Sequence, residues 1–131
     1  MTALSVGIDL VQVSRIAESL ERFGERFLRR VFTEDEITYA RTSPTQMVQR
    51  LAARFAAKEA TIKALRLAEF PINWREIEVR RTASGACEMA LHGTLGLIAA
   101  QSGHGELAVS LSHEGDYATA VVVSCIREAH N

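Results

Sequence analysis

The segment from Ser43 to Arg66 constrains the fold of this chain more than any other part of the sequence. After Pro44 it contains no glycine or proline, and many of its residues are alanine. Such a run favours a long helix whose small side chains let other elements pack closely against it. Ser43 as N-cap, Pro44 at the first helical position and Gln46 reaching back would start this helix, because together they match a capping box. We therefore predict one long helix that ends near Arg66.

The first part of the chain contains signals for a strand and several short helices. Leu4–Leu10 is mostly apolar and includes β-branched residues, which indicates a buried strand. Ser14 is placed to cap a following helix, and Gly24 is expected to divide that helix in two. Thr33 and Glu36 match a second capping box, so we predict another short helix after Thr33.

The second half of the chain changes from helical to mainly strand-like patterns. Alternating apolar and charged residues, together with the turn residues Ser84 and Gly85, indicate antiparallel strands. The predicted elements are the strands Glu76–Arg81, Cys87–Leu91, Leu107–Leu111 and Tyr117–Ile126 and the helix Thr94–Gln101. A strand, then helices, then mostly strands is the order of an α+β protein. We therefore predict an antiparallel sheet packed against one long and several short helices, in a single domain spanning residues 1–131.

The overall charge and the cysteines restrict the classes of function. The formal net charge is −1, which gives the chain no general attraction to nucleic acid or to an anionic membrane. No apolar run approaches the roughly 20 residues that span a bilayer, and the N-terminus lacks the basic start of a secretory signal. Cys87 and Cys125 lack metal-ligand spacing and indicate a reducing compartment. We expect a cytoplasmic protein that binds neither nucleic acid nor membrane.

The long helix carries a concentrated group of charges between Arg54 and Lys63. Helical spacing places Arg54 one turn from Lys58, and Glu59 one turn from Lys63. Such a group is able to hold a polyanion and a divalent metal ion at the same time. A solvated helix face with ion pairs between successive turns is the alternative interpretation, and the helix alone does not decide between them.

Two carboxylates in unusual positions point to a metal site. Asp9 lies inside the predicted first strand, where an acid is costly unless it is paired or bound to metal. Its other explanation is that it caps the next helix. Glu59 lies between Phe55 and Ile62, on a side of the long helix that partly faces the core. Two carboxylates from separate segments, completed by phosphate oxygens and water, suit Mg²⁺.

A histidine ends the strand that precedes the last turn. Ser110–His113 leads directly into Glu114-Gly115-Asp116, so His113 is expected to project from the edge of the sheet. Alone this residue is uninformative, because exposed histidines are common at such places. A histidine is nevertheless a suitable partner for a phosphate.

Four segments of the sequence together resemble those of one known family. They are Gly7–Val11 with Arg15-Ile16, Phe32-Thr33 with Glu36 and Tyr39, Arg54–Ala60 with Lys63, and Ser110–His113 with Tyr117-Ala118. In this order and spacing they resemble the characteristic segments of the holo-acyl-carrier-protein synthases, from about residue 4 to about residue 125. The first strand combined with the Lys-Glu-Ala helix is the specific part of the match, whereas each segment alone is a weak indication.

The resemblance implies a small 4′-phosphopantetheinyl transferase. Such enzymes move phosphopantetheine from coenzyme A to a serine of apo acyl carrier protein and release adenosine 3′,5′-bisphosphate. They need Mg²⁺, and their members are typically homotrimers with active sites between neighbouring subunits. We therefore expect a homotrimer that binds coenzyme A and apo acyl carrier protein and that acts in fatty-acid biosynthesis.

The resemblance also implies a catalytic group. Asp9 and Glu59 are expected to bind Mg²⁺, and Lys63 completes the catalytic set. Lys58 and Lys63 are expected to pair with phosphate oxygens of coenzyme A. The serine proton passes either to Glu59 or to a metal-activated water, and the sequence leaves both open.

A second group is expected to bind the nucleotide end of coenzyme A. Arg54 and His113 are expected to contact its 3′-phosphate. Members of the family often have Gly-Lys-Pro at the adenine-binding turn, whereas this chain has Gly85-Ala86-Cys87. A backbone contact from Gly85 is the part of that turn we expect to persist.

The arginines of the first helices are predicted to meet the acceptor. Acyl carrier proteins are acidic, so Arg15, Arg22 and Arg26 are expected to steer their docking. Ordinary solvated arginines are the alternative. Two other functions remain open at the level of the sequence: a non-catalytic domain that binds acyl carrier protein, and a Mg²⁺-dependent nucleotide pyrophosphohydrolase that uses the same two carboxylates.

Overall fold

A computed structural model describes residues 2–127 of the chain, and its elements follow the predicted order closely. They are β1 (Thr2–Gln12), α1 (Val13–Phe23), α2 (Glu25–Val31), α3 (Glu34–Arg41), α4 (Met47–Leu65), a 3₁₀ helix (Trp74–Glu76), β2 (Ile77–Arg81), β3 (Cys87–Leu91), α5 (Gly93–Gln101), β4 (His104–Glu114) and β5 (Tyr117–Arg127). Within the described part of the chain, no helix is long and apolar enough to cross a membrane.

The strands form two antiparallel sheets. The order in the larger sheet is β1-β5-β4, and β2 pairs with β3 in the smaller one. The predicted α+β class with antiparallel pairing is therefore confirmed, with the strands divided between two sheets. The strands of the larger sheet extend beyond the predicted segments, because β4 and β5 form a long hairpin around the turn at Gly115.

Helix α4 lies against the larger sheet and forms the centre of the core. A side chain at Gly7 would place its Cβ 2.0 Å from the carbonyl oxygen of Ala60, so β1 comes this close to α4 only with glycine at that position. The Ser5 hydroxyl donates a hydrogen bond of 2.6 Å to the carbonyl oxygen of Ala64. This contact fixes which residues of β1 lie beside the second half of α4.

Two predicted helix caps are wrong and one is confirmed. Helix α4 begins at Met47 after a turn, with no side-chain cap, so Ser43 does not start it. Ser14 lies inside α1, where its backbone N–H and hydroxyl donate to the carboxylate of Asp116 at 2.9 and 2.7 Å. The predicted capping box of α3 is present between Thr33 and Glu36.

One face of β1 is exposed, although the sequence predicted a buried strand. Its side chains alternate, so that Ser5 and Gly7 face α4 while Leu4, Val6, Ile8 and Leu10 face away. The latter four are 63% to 73% exposed. The prediction assumed that both faces of the strand are buried. In this chain α4 covers one face, and the other face is exposed.

Candidate functional site

Asp9, Lys63 and Glu59 come together where β1 crosses the end of α4. The Lys63 ammonium donates to the Ile8 carbonyl oxygen at 2.9 Å and lies 3.2 Å from a carboxylate oxygen of Asp9. The Asp9 side chain is 19% exposed and that of Lys63 is 53% exposed. Asp9 therefore remains within reach of solvent, and its alternative role as a helix cap is excluded because Asp116 binds the start of α1.

The charges in this group favour an added cation. Burial raises the pKa of Glu59, the negative charge of Asp9 raises it further, and Lys63 opposes both effects. Two carboxylates thus lie near each other beside one exposed ammonium group. Within residues 2–127, no group of three or more His, Cys, Asp or Glu side chains is arranged to hold a metal ion. Phosphate oxygens and water would have to complete the coordination of Mg²⁺, which is its usual mode of binding.

The predicted nucleotide-binding residues line one cleft. It has a volume of about 260 Å³ and lies between α4, the hairpin of β2 and β3, and the end of β4. Arg54, Gly85 and His113 all line it, although they come from three distant parts of the sequence. Its other lining residues are Tyr39, Gln46, Gln49, Arg50, Ala53, Arg81, Cys87, Leu111 and Ser112.

Three arginines in this cleft surround one aromatic ring. The guanidinium carbons of Arg50, Arg54 and Arg81 lie 4.3, 4.4 and 4.8 Å from the ring centroid of Tyr39. Arg81 also donates a hydrogen bond to the Tyr39 hydroxyl. Stacking on an aromatic face holds guanidinium groups in place while leaving their edges free for an anion.

Arg54 is the buried member of this group. It is 4% exposed, and its Nε atom has no hydrogen-bond partner among the described residues. Burial lowers its pKa, and the nearby Cys87, Tyr39 and Glu36 partly oppose that effect. A buried guanidinium group with an unused donor is costly, so the site is suited to an anion that supplies the missing partner.

Arg50 and Arg81 were not predicted as site residues from the sequence, and Tyr39 was assigned no role. Arg50 and Arg54 are one helical turn apart, and this spacing was a usable signal for a shared face. Arg81 gave no such signal, because only the antiparallel pairing of Arg81 with Cys87 brings it beside Gly85. Its guanidinium nitrogen lies 3.3 Å from the position that a Cβ of Gly85 would occupy.

Lys58 lies neither beside Asp9 and Glu59 nor in the cleft of the three arginines. Its predicted contact with phosphate oxygens is wrong. Its side chain is fully buried. The ammonium group donates to a carboxylate oxygen of Glu36 at 2.7 Å, to the Trp74 carbonyl oxygen at 3.1 Å and to the Ile77 carbonyl oxygen. All three of its N–H donors are used, so none is left for a ligand.

Asp9 and Glu59, with Lys63 beside them, form what we call the acidic group. The cleft that contains the three arginines is called the cationic cleft, and it lies on the same face of the larger sheet as the acidic group. Asp9 and Leu111 both pair with Ala120, one from each side, and His113 occupies the next row on the same face. Side chains two residues apart on a strand share a face, so Asp9 and His113 both lie on the side that α4 covers. Asp9 and His113 lie on the two outer strands of this sheet, with α4 between them.

The arginines predicted to meet the acceptor are exposed. Arg15, Arg22 and Arg26 form no ion pair with any described residue, whereas Arg29 and Arg41 pair with glutamates. Arg22 lies 5.7 Å from the ring centroid of Phe23, which is itself 55% exposed. This surface therefore combines free positive charge with one exposed aromatic side chain.

The sequence and the fold match one group of known proteins. The family model of the 4′-phosphopantetheinyl transferase superfamily matches residues 5–122. A holo-[acyl-carrier-protein] synthase from Koribacter versatilis (strain Ellin345) is 43% identical over 121 residues, which are 92% of this chain and 96% of that protein. The structure of the Chronobacterium ammoniagenes ACPS–CoA complex matches with a TM-score of 0.84 and 38% identity, over 96% of this chain and 99% of that one. The Helicobacter pylori holo-[acyl-carrier-protein] synthase in complex with coenzyme A matches with a TM-score of 0.78 and 28% identity, over 91% of this chain and 98% of that one.

Proposed function

Because the chain belongs to the 4′-phosphopantetheinyl transferase superfamily, and within it to the holo-[acyl-carrier-protein] synthases, we propose how its residues divide the work of this reaction. The enzyme transfers 4′-phosphopantetheine from coenzyme A to a serine of apo acyl carrier protein. The main support for our assignment is the convergence of Asp9, Glu59 and Lys63 beside α4, on the same sheet face as the cationic cleft.

The acidic group is proposed to bind Mg²⁺. Asp9 and Glu59 would each supply a carboxylate, and the raised pKa of Glu59 supports the fit because a divalent cation would relieve the excess negative charge. When bound there, Mg²⁺ would neutralise charge that develops on the pyrophosphate of coenzyme A. Lys63 would then exchange its contact with Asp9 for a phosphate oxygen, which its exposed side chain can reach.

The cationic cleft is proposed to bind the 3′-phosphate of coenzyme A. Arg54 and His113 remain its predicted partners, and we add Arg50 and Arg81 because both line the cleft and stack on Tyr39. Four cationic or potentially cationic groups hold the substrate in one orientation, which is most of what phosphoryl transfer asks of an enzyme.

The turn that follows β2 is proposed to receive the adenine. The family's Gly-Lys-Pro is replaced here by Gly85-Ala86-Cys87, and the lysine is therefore absent. Arg81 lies close to Gly85 and would supply the positive charge instead. The backbone of Gly85 has a φ of +87° and keeps the turn in a shape that favours glycine.

Self-association is proposed to complete the enzyme. The exposed apolar row of Leu4, Val6, Ile8 and Leu10 is continuous along β1, and an uncovered row of this kind is typical of a subunit interface. Together with the resemblance to trimeric enzymes, this row supports a homotrimer in which neighbouring subunits close the active sites. A cytoplasmic location and a role in fatty-acid synthesis remain predictions.

Incubation of the chain with coenzyme A, Mg²⁺ and apo acyl carrier protein tests the reaction directly. Mass spectrometry of the carrier should show the addition of one phosphopantetheine group. Free phosphopantetheine in solution would indicate the pyrophosphohydrolase instead, and binding without turnover would indicate a non-catalytic domain.

The Asp9→Ala variant tests the proposed metal site. Its turnover should fall by about 10²-fold or more while its circular dichroism stays unchanged. Glu69→Ala is the control, because Glu69 is an exposed carboxylate that forms no ion pair within residues 2–127. Turnover of Asp9→Ala within a few-fold of the unsubstituted chain would contradict the role of Asp9.

A further inference from the structure

Cys87 lies in a strongly cationic part of the proposed coenzyme A site. It is the first residue of β3, is partly buried and lines the cleft together with Arg50, Arg54, Arg81 and His113. None of the twelve residues that line this cleft is acidic. Positive charge around a thiol attracts anionic reagents and raises their concentration beside the sulfur atom.

Arg54 provides an independent indication that this place accepts an anion. Its side chain is 96% buried by area, since only 4% is exposed, and its Nε donor is unpaired within the described residues. Arg54 and Cys87 line the same cleft, so an anion bound at Arg54 would share that small space with the sulfur atom.

We propose that Cys87 is a modification site at which anionic low-molecular-weight disulfides form a mixed disulfide and thereby switch off transfer. The regulatory part rests on the proposed function of the cleft, because an adduct on Cys87 would occupy the space assigned to the 3′-phosphate of coenzyme A. The modification itself needs only the thiol and its cationic neighbours.

The chemistry is a thiol–disulfide exchange. The Cys87 thiolate attacks one sulfur of the small disulfide, a new S–S bond forms to Cys87, and the original S–S bond breaks. The other half leaves as a thiolate and takes a proton from water, balancing the proton that the Cys87 thiol released. The sulfur of Cys87 is oxidised and the small disulfide, which is the oxidant, is reduced. An added dithiol reverses the step.

Alkylation rates test the charge selectivity without relying on the transferase reaction. Iodoacetate and iodoacetamide differ in charge but share a leaving group, and peptide mass mapping reports Cys87 and Cys125 separately. In the folded chain, the ratio of the iodoacetate rate to the iodoacetamide rate at Cys87 should be about tenfold higher than at the same thiol in urea. Arg81→Gln and high salt should each lower this ratio. An equal ratio in the folded and unfolded chain would overturn the proposal.

Oxidised glutathione tests the switch. Mass spectrometry should show a glutathione adduct on Cys87, carrier modification should fall at least tenfold relative to the untreated sample, and dithiothreitol should restore it. Adenosine 3′,5′-bisphosphate should slow adduct formation. In Cys87→Ser, transfer before and after treatment should be equal. Absence of the adduct, or an adduct that leaves transfer unchanged, would overturn the proposal, whereas failure of the proposed function would show as an inactive untreated chain.

Discussion

Two lysines of α4, Lys58 and Lys63, each meet a carboxylate, and the two pairs have opposite surroundings. Lys58 and Glu36 are both fully buried, whereas the side chains of Lys63 and Asp9 are 53% and 19% exposed. The same pair of functional groups on one helix thus gives a closed contact and an open one. Only the open pair retains free donors and acceptors for a ligand, so exposure rather than residue type separates the structural lysine from the one proposed to be catalytic.

The closed pair is the centre of a network that joins three elements. Glu36 accepts hydrogen bonds from Lys58 and from the backbone N–H groups of Thr33 and Val79 at 2.7, 2.9 and 2.9 Å. These contacts connect α4 to the start of α3 and to β2. Burial lowers the pKa of Lys58, and Glu36 is the main opposing influence. The network therefore holds the elements on which the cationic cleft is built.

Substitution of Lys58 should produce the largest effect. Lys58→Met leaves the buried carboxylate of Glu36 without its cation, so we expect a loss of about 3–5 kcal/mol in the free energy of unfolding. Denaturant titration at one fixed protein concentration measures this loss, and the concentration matters because self-association would add to stability.

The double variant Lys58→Met with Glu36→Gln is the control for this experiment. It removes the stranded negative charge, so it should recover part of the stability lost in Lys58→Met. A loss below about 1 kcal/mol in the single variant would mean that the closed pair does not differ from an ordinary surface pair.

Lys63→Met should reduce turnover strongly and stability little, whereas the main effect of Lys58→Met is on stability. Its exposed ion pair with Asp9 is expected to contribute less than about 1 kcal/mol to stability. Turnover should fall by about 10²-fold, because Lys63 is the cation proposed to stabilise the charge of the transition state. Steady-state kinetics and denaturant titration of the same sample measure both quantities. Lys63→Arg is the matched variant that keeps the charge, and equal defects in both variants would argue for geometry rather than charge.

The stability and the Mg²⁺ affinity of the acidic group should also depend on pH. The raised pKa of Glu59 means that the folded chain holds this proton more tightly than the unfolded chain does. The charged form of Glu59 therefore lowers the free energy of unfolding at pH values above the raised pKa. This loss of stability disappears as the pH falls through the raised pKa toward the ordinary carboxyl range. Mg²⁺ needs the deprotonated form, so its affinity should weaken over the same range, by up to about tenfold per pH unit.

Calorimetric titration of Mg²⁺ into the chain with bound coenzyme A measures this pH dependence. Glu59→Gln should bind Mg²⁺ weakly and with a flatter dependence on pH. The closed pair provides the contrast, because Glu36 is enclosed and should not contribute to metal binding. An identical pH dependence in the presence and absence of the Glu59 carboxyl group would contradict its role as a ligand.

The sequence singled out Asp9 and Glu59, which lie near each other beside Lys63 in the structure, because both carry local anomalies. An acid inside an apolar strand and a carboxylate on the inner side of a helix both conflict with their surroundings, and this conflict is visible without a structure. Lys58 carries no such signal. Lys58 and Glu59 are adjacent in sequence but point about 100° apart, and the direction that leads inward depends on elements packed from elsewhere. The prediction for Lys58 was wrong for this reason.

The starts of α1 and α4 were predicted wrongly for a similar reason. Ser14 and Ser43 are good capping residues by type, yet Asp116 from a distant turn binds the start of α1, and α4 begins only after a separate turn. The capping box at Thr33 formed as predicted, whereas the equally local box at Ser43 did not, because residues 44–46 form a separate turn. Contacts between elements gave little signal in the sequence, and the arginines around Tyr39 belong to this kind.

The smallest expected effect concerns the exposed arginines of α1. Arg15 is exposed and forms no ion pair with the described part of the chain. We expect it to attract the acidic carrier protein over a distance without affecting the chemical step. Arg15→Glu should lower kcat/KM for the carrier protein by roughly threefold to tenfold at low salt, and the defect should fade near 1 M salt, where the screening length is only about 3 Å. Arg127→Glu is the matched control, since Arg127 lies at the opposite end of β5 from the start of α1 and carries the same change of charge. A defect in Arg15→Glu that persists at high salt would indicate local damage to α1, and an equal defect in Arg127→Glu would indicate that net charge rather than this surface attracts the carrier.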